Sequence, residues 1–233
     1  MSKTLFNLLT VLLFFGFPQQ GKSAENLSVS VTDSIEINNP YFYVLRNSSA
    51  NVSADSSTVG KRVVVALNSV KINTGRKIIQ LERGQVTVFQ PKETYQVARG
   101  KFFEVGFKQK HPELKRPEEW IEPTKNIVVY DDAEIRVFEE RLEPHDIREV
   151  HSHAQRVVVR LNLVQLTDPR FHDVPKPGSG IQVPNTVKYA EPIVHAVKNT
   201  SDIPLFNIVI EYKIDYQSPE SRVQSQESRL NSH

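Results

Sequence analysis

Along most of this chain, apolar and polar residues alternate with a period of two. The alternation runs through Phe102 to Phe107, Ile127 to Tyr130, Ile135 to Phe138, Val157 to Leu166 and Phe206 to Tyr212, with turn-forming residues between the segments. Successive strand side chains point to opposite faces, so this spacing predicts half-buried β-strands. No stretch beyond the first two dozen residues carries a 3.6-residue apolar period with caps. The expected fold class is therefore all-β.

The pattern also repeats. Arg62 to Asn68 matches Arg156 to Asn162 at six of seven positions, 94 residues apart. Upstream, the segment from Asn38, Asn39 and Pro40 to Leu45 parallels Asp131, Asp132 and Ala133 to Phe138 at a spacing of 93. Both units close on an alternating strand, Phe102 to Phe107 and Asn207 to Tyr212. Three matches in one order at nearly constant offset point to a duplicated domain. The expected organisation is a signal peptide over residues 1–23, a first domain over 24–108 and a linker over 109–125. A second domain over 126–216 and a disordered tail over 217–233 follow. The linker is rich in Pro, Glu and Lys and holds the single tryptophan, Trp120. The tail has almost no apolar residues with which to order itself.

Ahead of the first unit, Lys3 precedes an apolar run from Leu5 to Phe17, then a small-x-small site at Gly21 and Ser23. Thirteen helical residues rise only about 20 Å, short of the roughly 30 Å hydrocarbon core. A secretory signal peptide is expected rather than an anchor, which gives a secreted or periplasmic protein with no stable membrane insertion. Loss of Lys3 and Lys22 would leave 27 basic and 27 acidic residues. That balance argues against nucleic acid or an anionic membrane as the partner. With no cysteine in the chain, disulfides, thiolate ligands and a cysteine nucleophile are excluded.

The candidate chemistry lies in histidines. His151 and His153, at i and i+2 on an expected strand, point to the same face, and His195 arrives on a later strand. Neutral imidazole is a ligand for Zn, Fe, Ni or Cu, so His151, His153 and His195 are a candidate metal set. If they point into a barrel, strand phase places Gln155, Val157, Val159, Leu161 and Leu163 inward with them. Ser152, Ala154, Arg156, Arg160 and Asn162 are then expected outward. His145 is expected in a solvated turn, as is His172 in a loop. Asp131 and Asp132 read as turn residues, since the first unit has Asn38 and Asn39 there. No phosphate loop, nucleophile elbow or zinc-protease helix is present.

These residues resemble the cupin superfamily, whose double-stranded β-helix carries one motif with a paired histidine followed by glutamate and a second with histidine and, four residues on, asparagine. His151, His153, His195 and Asn199 match. The resemblance covers roughly residues 125–215 in motifs and reaches 30–108 only through the repeat. It implies two tandem jelly-roll barrels, a bicupin, with the first degenerate. The glutamate positions, 157 and 158, are both valine, so three imidazoles would remain with water in an open position. Gln155 could add a weak neutral oxygen, and Gln155 and Asn199 are the expected ligand-binding positions. Without a carboxylate, zinc, nickel or copper suits the set better than iron or manganese. By the repeat offset, Ser57 and Val59 replace the paired histidines in the first unit, and Thr94 or Tyr95 the third. That half is expected to be structural, covering a sheet edge or forming a homodimer surface.

Three functions fit this reading. The first is a non-catalytic or weakly catalytic protein that binds a small molecule, with or without a metal. The others are a metal-dependent enzyme of dioxygenase or isomerase type, and a structural or interaction protein whose sites are lost.

Overall fold

The computed structural model describes residues 34–47, 59–171 and 180–214. The expected signal peptide, the tail, Ser57 and His172 lie outside these residues. Seventeen strands and no helix occur among the described residues, and every strand pair is antiparallel.

The first half contains β1 (Ser34–Asn38), β2 (Phe42–Asn47), β3 (Val59–Ala66) and β4 (Val70–Asn73). It continues with β5 (Ile78–Leu81), β6 (Val86–Phe89), β7 (Gln96–Arg99) and β8 (Phe102–Lys108). These form one sheet in the order β1-β2-β8-β3-β6 and a smaller one in the order β5-β4-β7.

The second half contains β9 (Asn126–Asp131), β10 (Ile135–Leu142), β11 (Ile147–His153), β12 (Arg156–Arg160) and β13 (Val164–Thr167). Then come β14 (Gly180–Gln182), β15 (Thr186–Ala190), β16 (Ile193–Asn199) and β17 (Leu205–Tyr212). Its sheets run β9-β10-β17-β12-β15 and β11-β16-β13-β14. The five-stranded orders correspond strand for strand in the two halves. These are jelly-roll sheets, although neither half closes into a continuous barrel.

Turn chemistry enters the large sheets in the same way twice. The Asn39 side-chain oxygen accepts from the backbone N–H of Tyr41 and Phe42. Asp132 Oδ1 accepts from those of Glu134 and Ile135. Each side chain mimics a backbone turn, the role the sequence suggests for both positions.

The two five-stranded sheets pack against each other through one apolar core. Phe42, Val44, Val63, Val65, Phe103 and Val105 come from the first half; Val137, Val157, Val159, Leu161, Ile208 and Ile210 from the second. The opposite face of each sheet turns into its own half, so β3 and β12 are covered on both sides. That double burial explains the unbroken Val63–Val65 and Val157–Val159 runs, which alternation alone would not produce.

The two interiors differ. In the first half Tyr43, Val64, Ile72, Phe89, Tyr95 and Phe102 fill the space. Phe89 and Tyr95 stack at 4.2 Å. The Tyr43 and Tyr95 hydroxyls donate to the buried Glu104 carboxylate. Gly106 makes this possible, since a Cβ there would lie 1.9 Å from Tyr43 Cε1. In the second half only Leu142, Val164, Leu166, Val197 and Leu205 form an apolar cluster. The rest of that interior carries buried polar and charged groups, among them Glu140, Arg148, Arg156, Asn207 and Glu211.

The expected strand phase around the histidines does not hold. β11 belongs to the smaller sheet and ends at His153, whereas β12 belongs to the larger and begins at Arg156. Ala154 and Gln155 make the corner between sheets, and the facing inverts there. Val157, Val159 and Leu161 therefore face the first half, while Arg156, Val158 and Arg160 face the interior of the second. Leu163, expected inward, is 51% exposed.

Residues 109–125 contain no strand but are anchored along β11. Ser152 donates its backbone N–H to the Ile121 carbonyl and its hydroxyl to that of Glu119. Ile121 N–H donates back to the Ser152 hydroxyl.

Candidate metal centre

His151 and His195 are paired directly across β11 and β16, and His153 lies two residues along the same face. All three side chains are buried, and one ring nitrogen from each lies within 4.8 Å of the others. The ring centroids are 4.6 to 5.4 Å apart. The expected histidine set is therefore brought together.

Hydrogen bonding orients the rings. His151 Nδ1 lies 2.7 Å from the Glu149 carbonyl, to which it donates, leaving the Nε2 lone pair for the cluster. His151 Nε2 and His153 Nε2 are 3.1 Å apart. Two nitrogens of a tetrahedral site with Zn–N bonds of ~2.0–2.1 Å stand about 3.3 Å apart by geometry, so this pair is already near ligand spacing. His195 Nε2 is buried with no hydrogen-bond partner among the described residues. Phe138 stacks in parallel on His153 at 5.9 Å.

The electrostatics keep the cluster uncharged. Burial lowers the pKa of all three imidazoles below the ordinary value. Arg156 and the neighbouring histidines push His153 further down, and His151 and Arg156 do the same to His195. Neutral imidazoles are the ligating form, so the environment that disfavours protonation prepares the donors. A divalent transition metal fits this donor set.

Carboxylates do stand near the cluster, although valine occupies the positions where the family motif has glutamate. Val158 lines the cavity and Val157 turns away from it. Glu211, on β17, places Oε2 3.4 Å from His153 Nδ1. Burial pushes its carboxyl up to about 7, against the pull of Arg156 and Arg136. Glu211 Oε2 and His153 Nδ1 make no hydrogen bond at this separation, and a small approach would let the carboxylate back a ligating histidine from its far nitrogen. Glu140 is engaged elsewhere. It pairs with the fully buried Arg148 at 3.0 Å and accepts from Asn207 Nδ2 at 2.9 Å.

The other expected site residues are placed away from the cluster. Gln155, at the sheet corner, accepts from Lys115 N–H and donates to the Tyr189 hydroxyl. Asn199 braces a turn instead of meeting a ligand. Its Nδ2 donates to the carbonyls of Leu142, Glu143 and Ile203, and its Oδ1 accepts from Ser201 N–H. His145 is exposed and paired with Asp202 at 2.9 Å. Arg156, expected outward, is buried and donates to the carbonyls of Ala154 and Glu191. Asn207, Val209 and Glu211 share the interior face of β17. Because the other face of that strand, with Ile208 and Ile210, is also buried, alternation could not tell the two apart.

A cavity of about 420 Å³ opens beside His153 and His195. The large sheet contributes Arg156, Val158, Arg160, Lys188 and Val209; the small sheet contributes Leu166, Gln182, Ile193 and Val197.

No protein-family model and no curated protein matches the chain. Solved structures do. The chain is similar to AerE from Microcystis aeruginosa at 9% identity and a TM-score of 0.51, over 81% of this chain and 96% of that one. It is similar to a cupin 2 conserved barrel domain protein from Leptotrichia buccalis at 11% identity and a TM-score of 0.49, over 78% and 88%. The oxalate decarboxylase of Bacillus subtilis, which contains Mn(II) centres, aligns at 12% identity and a TM-score of 0.41, over 87% and 85%. At such identities the likeness concerns the fold alone.

Proposed function

From the premise that this chain has the cupin fold, we propose that it is a small-molecule-binding protein with one divalent transition metal on His151, His153 and His195. The observation that carries this reading is the convergence of three buried, neutral imidazoles, two of which, His153 and His195, line a cavity. Zinc, nickel or copper suits an all-imidazole set better than iron or manganese. The metal would supply a Lewis-acidic position open toward the cavity. His151 is oriented by the Glu149 carbonyl, and a small approach of Glu211 would let it accept a hydrogen bond from His153 Nδ1. Glu140, held by Arg148, lines the same cavity.

Binding is favoured over turnover because two of the cavity's candidate acid–base groups, Glu140 and Tyr189, are engaged. Glu140 is neutralised by Arg148, and Tyr189 is hydrogen-bonded to Gln155. The first half, whose interior is filled by Tyr43, Tyr95 and Phe89, serves as a structural partner. The sequence of residues 1–23 supports export, which N-terminal sequencing of the mature protein would test.

The functional test is metal analysis of tag-free protein after growth with each candidate ion. About one metal per chain is expected, lost on His153→Ala and retained on Tyr95→Phe. Failure to bind zinc, nickel, copper or iron on titration at neutral pH would end the metal reading.

A further inference from the structure

The cavity carries positive charge that nothing among the described residues balances. On the interior face of the large sheet, Arg160 lies on β12 and Lys188 on β15, where Lys188 faces Val158 in register. The two cations are therefore diagonal neighbours on one face, a spacing of roughly 7–8 Å. Neither has an ion pair among the described residues, and Arg160 Nε is buried without a hydrogen-bond partner.

The cavity's other charges do not answer them. Glu140 is taken by Arg148 and Asn207. Glu191 lies at the rim, where its carboxylate, 52% exposed, pairs with Lys115 on the outside. Glu211 is drawn to Arg156 and Arg136. Burial alone lowers the Arg160 guanidinium, with no acid opposing it, and burial followed by Arg160 and Arg156 lowers Lys188. Arg160 is half-buried and Lys188 is exposed at the mouth, and both line the cavity without an acidic partner among the described residues, so this wall offers a place for an anion from outside.

The remaining wall narrows the kind of anion. Val158, Leu166, Val197 and Val209 line the space between the cations and the histidines. A small inorganic anion would leave that apolar surface uncovered. Gln182 Oε1 and Asn207 Oδ1, both buried and unpartnered, add acceptor positions for a hydroxyl or amide on a larger molecule.

We infer that the cavity receives an organic carboxylate with an apolar body, its carboxylate on Arg160 and Lys188 and its body against the valines and Leu166, with the far end beside His153 and His195. A guanidinium fork matches a carboxylate in geometry, and the lysine adds a point charge. The inference rests on the cavity being the ligand site of the function proposed above, and it names the ligand's class.

The test is titration calorimetry of the purified full chain at neutral pH with hexanoate and benzoate, alongside hexan-1-ol and inorganic phosphate, with metal content measured on every sample. Both carboxylates are expected to bind at least ~10-fold more tightly than hexan-1-ol, and Arg160→Met is expected to weaken them by ~10- to 100-fold. Arg160→Lys should recover part of the loss. Lys188→Met should weaken binding by a smaller factor. Metal content and thermal melting of the Arg160→Met protein should match wild type, which separates a lost ligand contact from a lost fold.

Equal affinity for hexanoate and hexan-1-ol overturns the inference, as does hexanoate binding unchanged by Arg160→Met. Phosphate binding as tightly as hexanoate, with the same dependence on Arg160, overturns the organic ligand in favour of an inorganic anion. Protein that retains its metal but binds neither carboxylate refutes this inference and leaves the metal reading standing. Arg160-dependent hexanoate binding in protein that never holds metal refutes the metal reading and leaves this one.

Discussion

Replacing Glu140 by glutamine should be among the most damaging single changes in the second half. Arg148 is 1% exposed, and its guanidinium has two partners, Glu140 Oε1 at 3.0 Å and the Lys125 carbonyl at 3.1 Å, with Nε unsatisfied. Glu140→Gln removes the only countercharge paired with it among the described residues. It also turns an amide N–H₂ toward Arg148 or toward Asn207 Nδ2, each of them a donor. Breaking a buried ion pair in this one-sided way costs ~3–5 kcal/mol. For a domain of this size that corresponds to a fall in Tm of roughly 6–20 °C.

Removing both charges is different. Glu140→Met with Arg148→Met fills similar volume without an orphaned ion, so the double variant should lie within about 1 kcal/mol of wild type or above it. Equilibrium urea unfolding followed by far-UV circular dichroism reads both, with the m-value checking that unfolding remains one transition. Since both halves share one core, a single transition is expected. A Glu140→Gln loss below about 1 kcal/mol, or a double variant worse than the single, would refute the view that Arg148 is an ion held in a low-dielectric interior.

Glu211→Gln should weaken metal affinity by about 10- to 100-fold while leaving the His151–His153–His195 set in place, as read by competition with a chelator; unchanged affinity would remove Glu211 from its backing role. Gly106→Ala drives a methyl into Tyr43, which is buried and bound to Glu104; a loss of about 1–3 kcal/mol is expected with metal content unaffected, and an undiminished Tm would contradict the packing. Asp132 supplies a pH test. Burial works to raise its carboxyl, but hydrogen bonds from Lys61, Tyr130 and the Ile135 and Glu134 N–H groups hold it well below the usual range. Its contribution is therefore present above the unfolded value of about 3.9 and is lost as pH falls further. Asp132→Asn should cost up to about 1 kcal/mol at pH 7, given the partly exposed pair with Lys61. The gap from wild type should narrow in melts below about pH 4, and a gap constant with pH would count against the ion pair.

The strands and the histidine set could be read from sequence because each rests on local spacing. A period of two puts His151 and His153 on one face whatever surrounds them, and Asn39 and Asp132 cap their turns through bonds two or three residues away. The facing of β12 depended on something not local. Chain direction changes sheet at Ala154 and Gln155, and the Val157–Val159 run offers no polar face to mark the inversion, because both sides of that strand are buried. Arg156 and Arg160 were accordingly expected in solvent. The groups that surround the histidines are distant in sequence from what they touch, as with Glu211 and His153. Asn199 shows the opposite case, since its motif position matches while its side chain is occupied by three turn carbonyls.

The measurement that meets the central claim most directly is X-ray absorption at the zinc edge of tag-free protein loaded with one equivalent of zinc. Three imidazole nitrogens at about 2.0–2.1 Å, with one further light ligand, are expected. His153→Ala should remove one imidazole from the shell or abolish binding. A shell dominated by carboxylate oxygens, or an imidazole count that does not change when His153 is removed, would place the metal elsewhere and contradict the account.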